Sequence, residues 1–264
     1  MKFADYKTLV FARRGRVLEI TMNRPEKLNA VDEAMHEELA RVFVDASNDP
    51  ESDIVVLTGT GRAFSSGGDI DWMQKMIDQP ASFEKTAREG KQIVYSLLDC
   101  EKPVIAKLNG HATGLGATIA LFCDVIFAAE TAKIGDPHVS VGFVAGDGGA
   151  VIWPQLIGYA RAKEYLMTGD LMTASQAASI GLINHAVAPA ELDERVQQFA
   201  DRLAAGAIKA IRWSKMSANI GLKQLAHSIM DASLAYEAMS NVTRDHQEAV
   251  NAFREKRSPA FSGK

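Results

Sequence analysis

The sequence predicts an α/β fold, and three observations carry that expectation. Short apolar runs, Ile54-Val55-Val56-Leu57-Thr58 and Val104-Ile105-Ala106-Lys107-Leu108, alternate with longer segments of helical period. Two glycine-punctuated turns, Ala63-Phe64-Ser65-Ser66-Gly67-Gly68-Asp69-Ile70 and Asn109-Gly110-His111-Ala112-Thr113-Gly114-Leu115-Gly116-Ala117-Thr118, each follow such a strand and open into a helix. From Leu192 onward only helical patterning remains, and no Ser/Gly/Pro-rich linker precedes it.

In chain order, Leu9 to Ala12 and Val17 to Met22 flank Arg13-Arg14-Gly15-Arg16, which reads as a hairpin with glycine at a positive-φ turn position. Asp32 is a plausible N-cap for a helix running to about Ser47. The strand at 54–58 leads through the first glycine turn to a helix near Ile70, which Asp69 can cap. Trp72, Met73 and Met76 on that helix suit an apolar pocket lining or the core equally well. A helix from about Ser82 to Leu98, the strand at 104–108 and a helix beginning near Gly116 follow. The last of these continues into the apolar run Ile119 to Phe127, which includes Cys123, and Trp153 falls near the start of the next helix, as lining or core. Leu222, Leu225, Ile229, Ala232, Tyr236 and Met239 recur at alternating three- and four-residue spacing, an apolar face that needs cover. Residues 1–190 read as an α/β core and 191–264 as a helical extension packing on that core or on a sister subunit.

Composition narrows the function classes. The 264 residues, 47% hydrophobic and 23% charged, suffice for one large domain with a substantial core. A formal charge of −4 with both signs interspersed offers no footprint for nucleic acid and no basic block for a membrane surface. Cys100 and Cys123, the two cysteines, read as reduced structural thiols. Met1 to Lys7 lacks the apolar stretch of a leader, so a cytoplasmic enzyme is the simplest expectation. Gly114-Leu115-Gly116 lacks the third glycine of a dinucleotide fingerprint, no Gly-x-Ser-x-Gly elbow occurs, and the six scattered histidines form no metal-ligand motif; no metal is expected.

The glycine turns point to chemistry because the first N–H groups of a helix have no partner within it. Such donors suit an anion or a developing oxyanion, and two turns offering one donor each are what an oxyanion hole requires.

Phe64-Ser65-Ser66-Gly67-Gly68-Asp69-Ile70, the segment Asn109 to Gly116 and Asn23-Arg24-Pro25-Glu26-Lys27-Leu28-Asn29-Ala30 resemble the crotonase superfamily, which includes the enoyl-CoA hydratases and isomerases. The motifs occur in that family's order, and the resemblance extends to Phe253-Arg254-Glu255-Lys256-Arg257. It implies a crotonase-like spiral of repeated ββα units, with trimers, often paired into hexamers, meeting through the C-terminal helices. The implied substrate is a coenzyme A thioester, with no prosthetic group. Motif for motif, the oxyanion donors fall on the backbone of Gly68 and Leu115, the latter where the family commonly has glycine. Lys27, Leu28 and Ala30 match the segment along the nucleotide end of coenzyme A, with Lys27 charged to meet a phosphate. Ser66, Asp69, Ile70 and Asp71 would border the thioester and pantetheine groove, and Phe253 and Lys256 match residues that a neighbouring subunit supplies in relatives.

The departures concern acid–base chemistry. Hydratases of the family carry a glutamate three residues after the second donor and another at the turn before the next glycine segment, and the pair activates water and delivers a proton. Here those positions are Thr118 and His138. Thr118 can position a water or fill space. His138 can be an acid or base, or a histidine satisfied locally. Asp147 is the carboxylate of the third glycine turn, an N-cap or a proton carrier, although the catalytic aspartate of some family isomerases aligns one residue earlier, with Gly146. The expected activity is enoyl-CoA hydratase or isomerase chemistry through a stabilised enolate, with His138 and Asp147 as a pair. An acyl-CoA hydrolase and a non-catalytic thioester-binding protein are the alternatives.

Overall fold

A computed structural model describes residues 3–264; Met1 and Lys2, the start of the segment read above for a leader, lie outside the described residues. The chain opens with the antiparallel hairpin β1 (Leu9–Arg14) and β2 (Val17–Met22), turned at Gly15 with φ +57°. Arg13 and Arg14 continue the strand beyond its apolar part by pairing with Leu18 and Val17, and their guanidinium groups reach Asp49 and Asp201. Helix α1 (Glu33–Asn48) starts where Asp32 accepts the Met35 N–H at 2.9 Å.

Three ββα units follow: β3 (Ile54–Gly59) and β4 (Ala63–Ser65) with α2 (Ile70–Asp78) and α3 (Phe83–Asp99); β5 (Val104–Leu108) and β6 (His111–Thr113) with α4 (Leu115–Leu121); β7 (Val125–Ala129) and β8 (Lys133–Gly135) with α5 (Gly149–Ile157). Then come α6 (Tyr159–Thr168), β9 (Met172–Thr173), α7 (Ala174–Ser179), β10 (His185–Val187) and the long tail of α8 (Leu192–Ala204), α9 (Ile208–Asn241) and α10 (Arg244–Glu255). In each unit the first strand joins a larger sheet, ordered β1-β2-β3-β5-β7-β10, and the second joins a smaller one, ordered β4-β6-β8-β9. The larger sheet is parallel apart from the hairpin. This is the spiral of ββα units with a C-terminal helical region that the resemblance implies.

The apolar run 119–127 is not one helix. Helix α4 ends at Leu121 and β7 begins at Val125, with Cys123 in the bend, its Sγ bonded to the Ile119 carbonyl at 3.4 Å. Asp124 fixes the break by accepting the Val104 N–H at 2.7 Å and pairing with Lys215 at 2.7 Å. Cys100 and Cys123 are both free and buried. Trp153 is fully buried in the principal core beside Tyr165, so it is packing rather than pocket lining.

The tail helices cover opposite sides of the core. Leu192, Val196 and Ala200 of α8 pack on Ile54, Val56, Ile105 and Phe127 of the larger sheet. Ala226, Met230 and Leu234 of α9 enter the principal core. The apolar stripe follows its expected course only in part: Leu222, Leu225 and Ile229 pack on the core, whereas Ala232, Tyr236 and Met239 face outward, the last two 62% and 66% exposed. A seven-residue repeat drifts by about 20° per heptad on a straight helix. The buried face therefore passes to Met230, Ser233, Leu234, Glu237 and Asn241. Among the described residues no helix is long and apolar enough to cross a membrane.

Candidate active site

The site is built where the two glycine turns meet. After β4 the chain reverses at Gly67, φ +86°, where Ser65 Oγ accepts the Gly67 N–H at 3.3 Å and donates to the Asn29 carbonyl at 2.8 Å. Asp69 sends its N–H to the Val31 carbonyl, and its carboxylate caps α2 by accepting the Asp71 N–H at 2.9 Å. Between them the Gly68 N–H meets no acceptor among the described residues. In the second turn Gly114, φ +53°, donates to the Gly135 carbonyl at 3.1 Å, and Leu115, the first residue of α4, has an N–H with no acceptor in the helix. A Cβ on Gly67 would lie 2.9 Å from the Thr113 carbonyl oxygen, so only glycine lets the turns abut. A Cβ on Gly114 would lie 3.7 Å from Gly67 Cα and 3.5 Å from His138 Cε1, which places the imidazole at the same junction.

A cavity of about 510 Å³ runs to this junction from the surface. Of the residues expected along a thioester groove, Lys27, Leu28, Ala30, Ser66, Gly68, Asp69, Ile70 and Phe253 line it, with Arg62 as a further cation. Phe253 reaches the cavity of its own chain, although the resemblance implied a neighbouring subunit's. Asp71 does not line it: its carboxylate faces the adjoining surface cleft and pairs with Lys27 Nζ at 3.3 Å and Arg254 Nη2 at 3.1 Å. Lys256, the left-handed C-cap of α10 with φ +55°, lines neither this cavity nor the inner one.

A smaller, more enclosed cavity continues past Gly68, Met73 and His138, with about 40 Å³ of free space. Trp72, Met73, Met76, Leu115 and Phe143 form apolar walls, and Asp147 and Glu237 make one end polar. The Met73 methyl group rests against Gly68, 2.7 Å from where a Cβ would stand.

The titratable groups sit beside these cavities, buried. His138 Nδ1 donates to Asp136 Oδ1, and its Nε2 lies 3.6 Å from Asp147 Oδ2. Thr118 Oγ1 donates to Asp147 Oδ1 at 3.2 Å. Burial alone would lower the His138 pKa, but the charges of Asp136 and Asp147 and the bond to Asp136 outweigh it and push it up to about 10. Burial raises Asp147 despite the opposing pull of His138. Glu237 is held well above the usual carboxylate range by burial, reinforced by Asp147, and its Oε2 has no hydrogen-bond partner. Asp136, His138 and Asp147 present ligand atoms within 4.8 Å of one another, a spacing that could hold a cation and that no sequence motif announced. The imidazolium itself supplies positive charge to that group.

The structure sets His138 beside Asp147, the pair expected from the sequence, and adds Thr118 as a donor to Asp147; Asp136, Arg62 and Glu237 carry no sequence signal of their own. Asp136 lies two residues from His138 within the same turn, and that proximity was its only signal. Glu237 was hidden by the phase of the apolar stripe, which assigned the buried face to Tyr236 and Met239.

A ββα spiral carrying two abutting glycine turns defines a protein of the crotonase superfamily. The family model described as enoyl-CoA hydratase/isomerase matches residues 12–264, and the chain belongs to that family. A crotonyl-CoA hydratase of Syntrophomonas wolfei is 32% identical to it over 260 residues, covering 98% of this chain and 99% of the relative. Among solved structures, an enoyl-CoA hydratase/isomerase from Mycobacterium paratuberculosis superposes with a TM-score of 0.89 at 36% identity, covering 94% of this chain and 99% of its own. A β-diketone hydrolase from the cyanobacterium Anabaena, bound to (S)-3-oxocyclohexyl acetic acid, does so with a TM-score of 0.85 at 30% identity, covering 91% and 96%.

Proposed function

We propose that the protein adds water to a coenzyme A thioester by enoyl-CoA hydratase-type chemistry, with the His138–Asp147 pair taking the proton from water. The observation that supports this reading is the buried approach of His138 Nε2 to Asp147 Oδ2, 3.6 Å, beside the junction of the two glycine turns. The thioester carbonyl oxygen sits against the Gly68 and Leu115 N–H groups, which hold the charge as the enolate forms; removing one such donor typically costs about 10²–10³ in rate. Asp147, a stronger base for being buried, takes a proton from water while the His138 imidazolium steadies its charge, and Thr118 fixes the carboxylate's orientation. Lys27 and Arg62 meet the nucleotide phosphates at the mouth, and Leu28, Ala30, Ser66, Ile70 and Phe253 flank the pantetheine arm. The reading includes a cytoplasmic enzyme, free of prosthetic groups, that assembles as a homotrimer or hexamer.

A second reading has its own support. Both hydratase glutamates are missing, and a β-diketone hydrolase is among the structural neighbours at 30% identity. With the same donors and the same pair, water would attack one carbonyl of a 1,3-diketone and the carbon–carbon bond would break.

Turnover of purified protein against 2-enoyl and 3-enoyl thioesters of differing length, and against cyclic 1,3-diketones, separates the readings by product mass. Water gained with coenzyme A retained supports hydration. An unchanged mass with a moved double bond indicates isomerisation, and free coenzyme A indicates thioester hydrolysis. Cleavage restricted to diketones overturns the first reading in favour of the second. Tight thioester binding without turnover overturns both.

A further inference from the structure

Water addition needs a group that takes a proton from water and another that gives one to carbon. On the reading above, His138 and Asp147 act as one unit because they are coupled through a single short approach. Asp136 cannot be the second group. Its Oδ1 is bonded to His138 Nδ1, its Oδ2 lies 2.3 Å from where a Cβ on Gly149 would stand, and it lines neither cavity.

Glu237 is placed differently. It is 5% exposed, lines the inner cavity with Asp147 and Leu115, and keeps Oε2 unpaired. A buried carboxyl without a hydrogen bond is costly, and native structures seldom retain one idle. Helix α9 carries it to the third glycine turn, where a Cβ on Gly146 would lie 2.6 Å from Glu237 Oε2 and 2.5 Å from the Ser233 carbonyl oxygen. No side chain could emerge from residue 146. The space that an aspartate there would enter is filled instead by a carboxyl from a helix some ninety residues downstream, a separation of about a third of the chain. Of the charged groups facing it, Asp147 and Asp136 favour its neutral form and His138 opposes it.

We propose that Glu237 is a catalytic residue, whose carboxyl group delivers a proton to the substrate carbon that becomes electron-rich while a proton of the attacking water passes to the His138–Asp147 pair. The bond that forms is from the water oxygen to the electrophilic carbon. The electron pair displaced from the π bond, or from the carbon–carbon bond of a diketone, goes to the neighbouring carbon and takes the Glu237 proton. The pair then returns its proton to Glu237, so the net change is one water added and no other reactant is consumed.

The test compares wild type with E237Q and E237D on whichever panel member turns over. Glutamine is expected to lower kcat by about 100-fold with little change in KM, and to remove the fall of kcat at high pH that marks loss of the acid. Aspartate is expected to restore that limb and part of the rate. Independently of substrate, carbon-13 NMR of δ-labelled glutamate should show one neutral carboxyl at pH 7 that is absent from E237Q. An ionised Glu237 at pH 7, or E237Q with wild-type kcat and pH profile, overturns the assignment while leaving the water-adding reading in place. If E237Q fails to fold, the wild-type titration and E237D decide. If wild type turns over nothing, the reading falls and this assignment falls with it.

Discussion

His138 is the residue at which burial and charge oppose each other most directly. Burial favours neutral imidazole, yet Asp136 and Asp147 raise its pKa from the ordinary 6.5 to about 10. A histidine whose folded pKa exceeds its unfolded one contributes stability that is fully present below about 6.5 and is lost as the pH rises through about 10. The thermal midpoint is therefore expected to fall between pH 6.5 and 10, and H138Q should flatten that slope; an equally steep fall in the variant would refute the ion pair as its source. Asp147, whose pKa burial also raises, adds a loss of stability of the same sign, beginning at lower pH as the unfolded carboxyl ionises. At the level of rate, H138Q and D147N should each lower kcat by about 10²–10⁴, the usual worth of a positioned acid or base. T118V, which leaves both charges and removes only the 3.2 Å bond to Asp147, should cost less; single-turnover measurements distinguish the three.

Among the elements, the glycine turns carry the greatest constraint per residue. Gly114 has φ +53° and abuts both Gly67 and His138. G114A is expected to destabilise the fold by about 1–3 kcal/mol through backbone strain and to cut turnover further by displacing the Leu115 N–H, as denaturant titration beside steady-state kinetics would reveal. Elements with local signals could be read directly from the sequence: α1 from the Asp32 cap, the hairpin from Gly15, and β3 and β5 from their apolar runs. The smaller sheet could not. Its strands β4, β6 and β8 have three residues each and β9 has two, too short to show an alternation, and they exist because they pair with one another across the spiral. The candidate site divides in the same way. Turn glycines and their neighbours lie in contiguous motifs, whereas Glu237 enters the site through the phase of a 34-residue helix, which depends on what that helix packs against.

For the whole molecule, the outward turn of Tyr236 and Met239 matters because Trp213 and Val242 on the tail are also more than half exposed. Such exposed apolar side chains suit the contact with another chain that the proposed assembly requires. Sedimentation of the wild type should show a homotrimer or its pair, and Y236K/M239K should shift it toward monomer without altering the far-ultraviolet dichroism; a monomeric wild type would contradict the assembly. The inner cavity has a further consequence, one of timing. Its walls come from His36, Met73, His138 and Glu237, which the ribosome delivers at widely separated moments, in that order. The first three are made before Glu237, whose carboxyl forms part of the polar end of that cavity. A fragment cut short before residue 237 would therefore carry both glycine turns and the imidazole but lack that carboxyl, so premature termination or cleavage ahead of α9 should leave the polar end of the cavity incomplete.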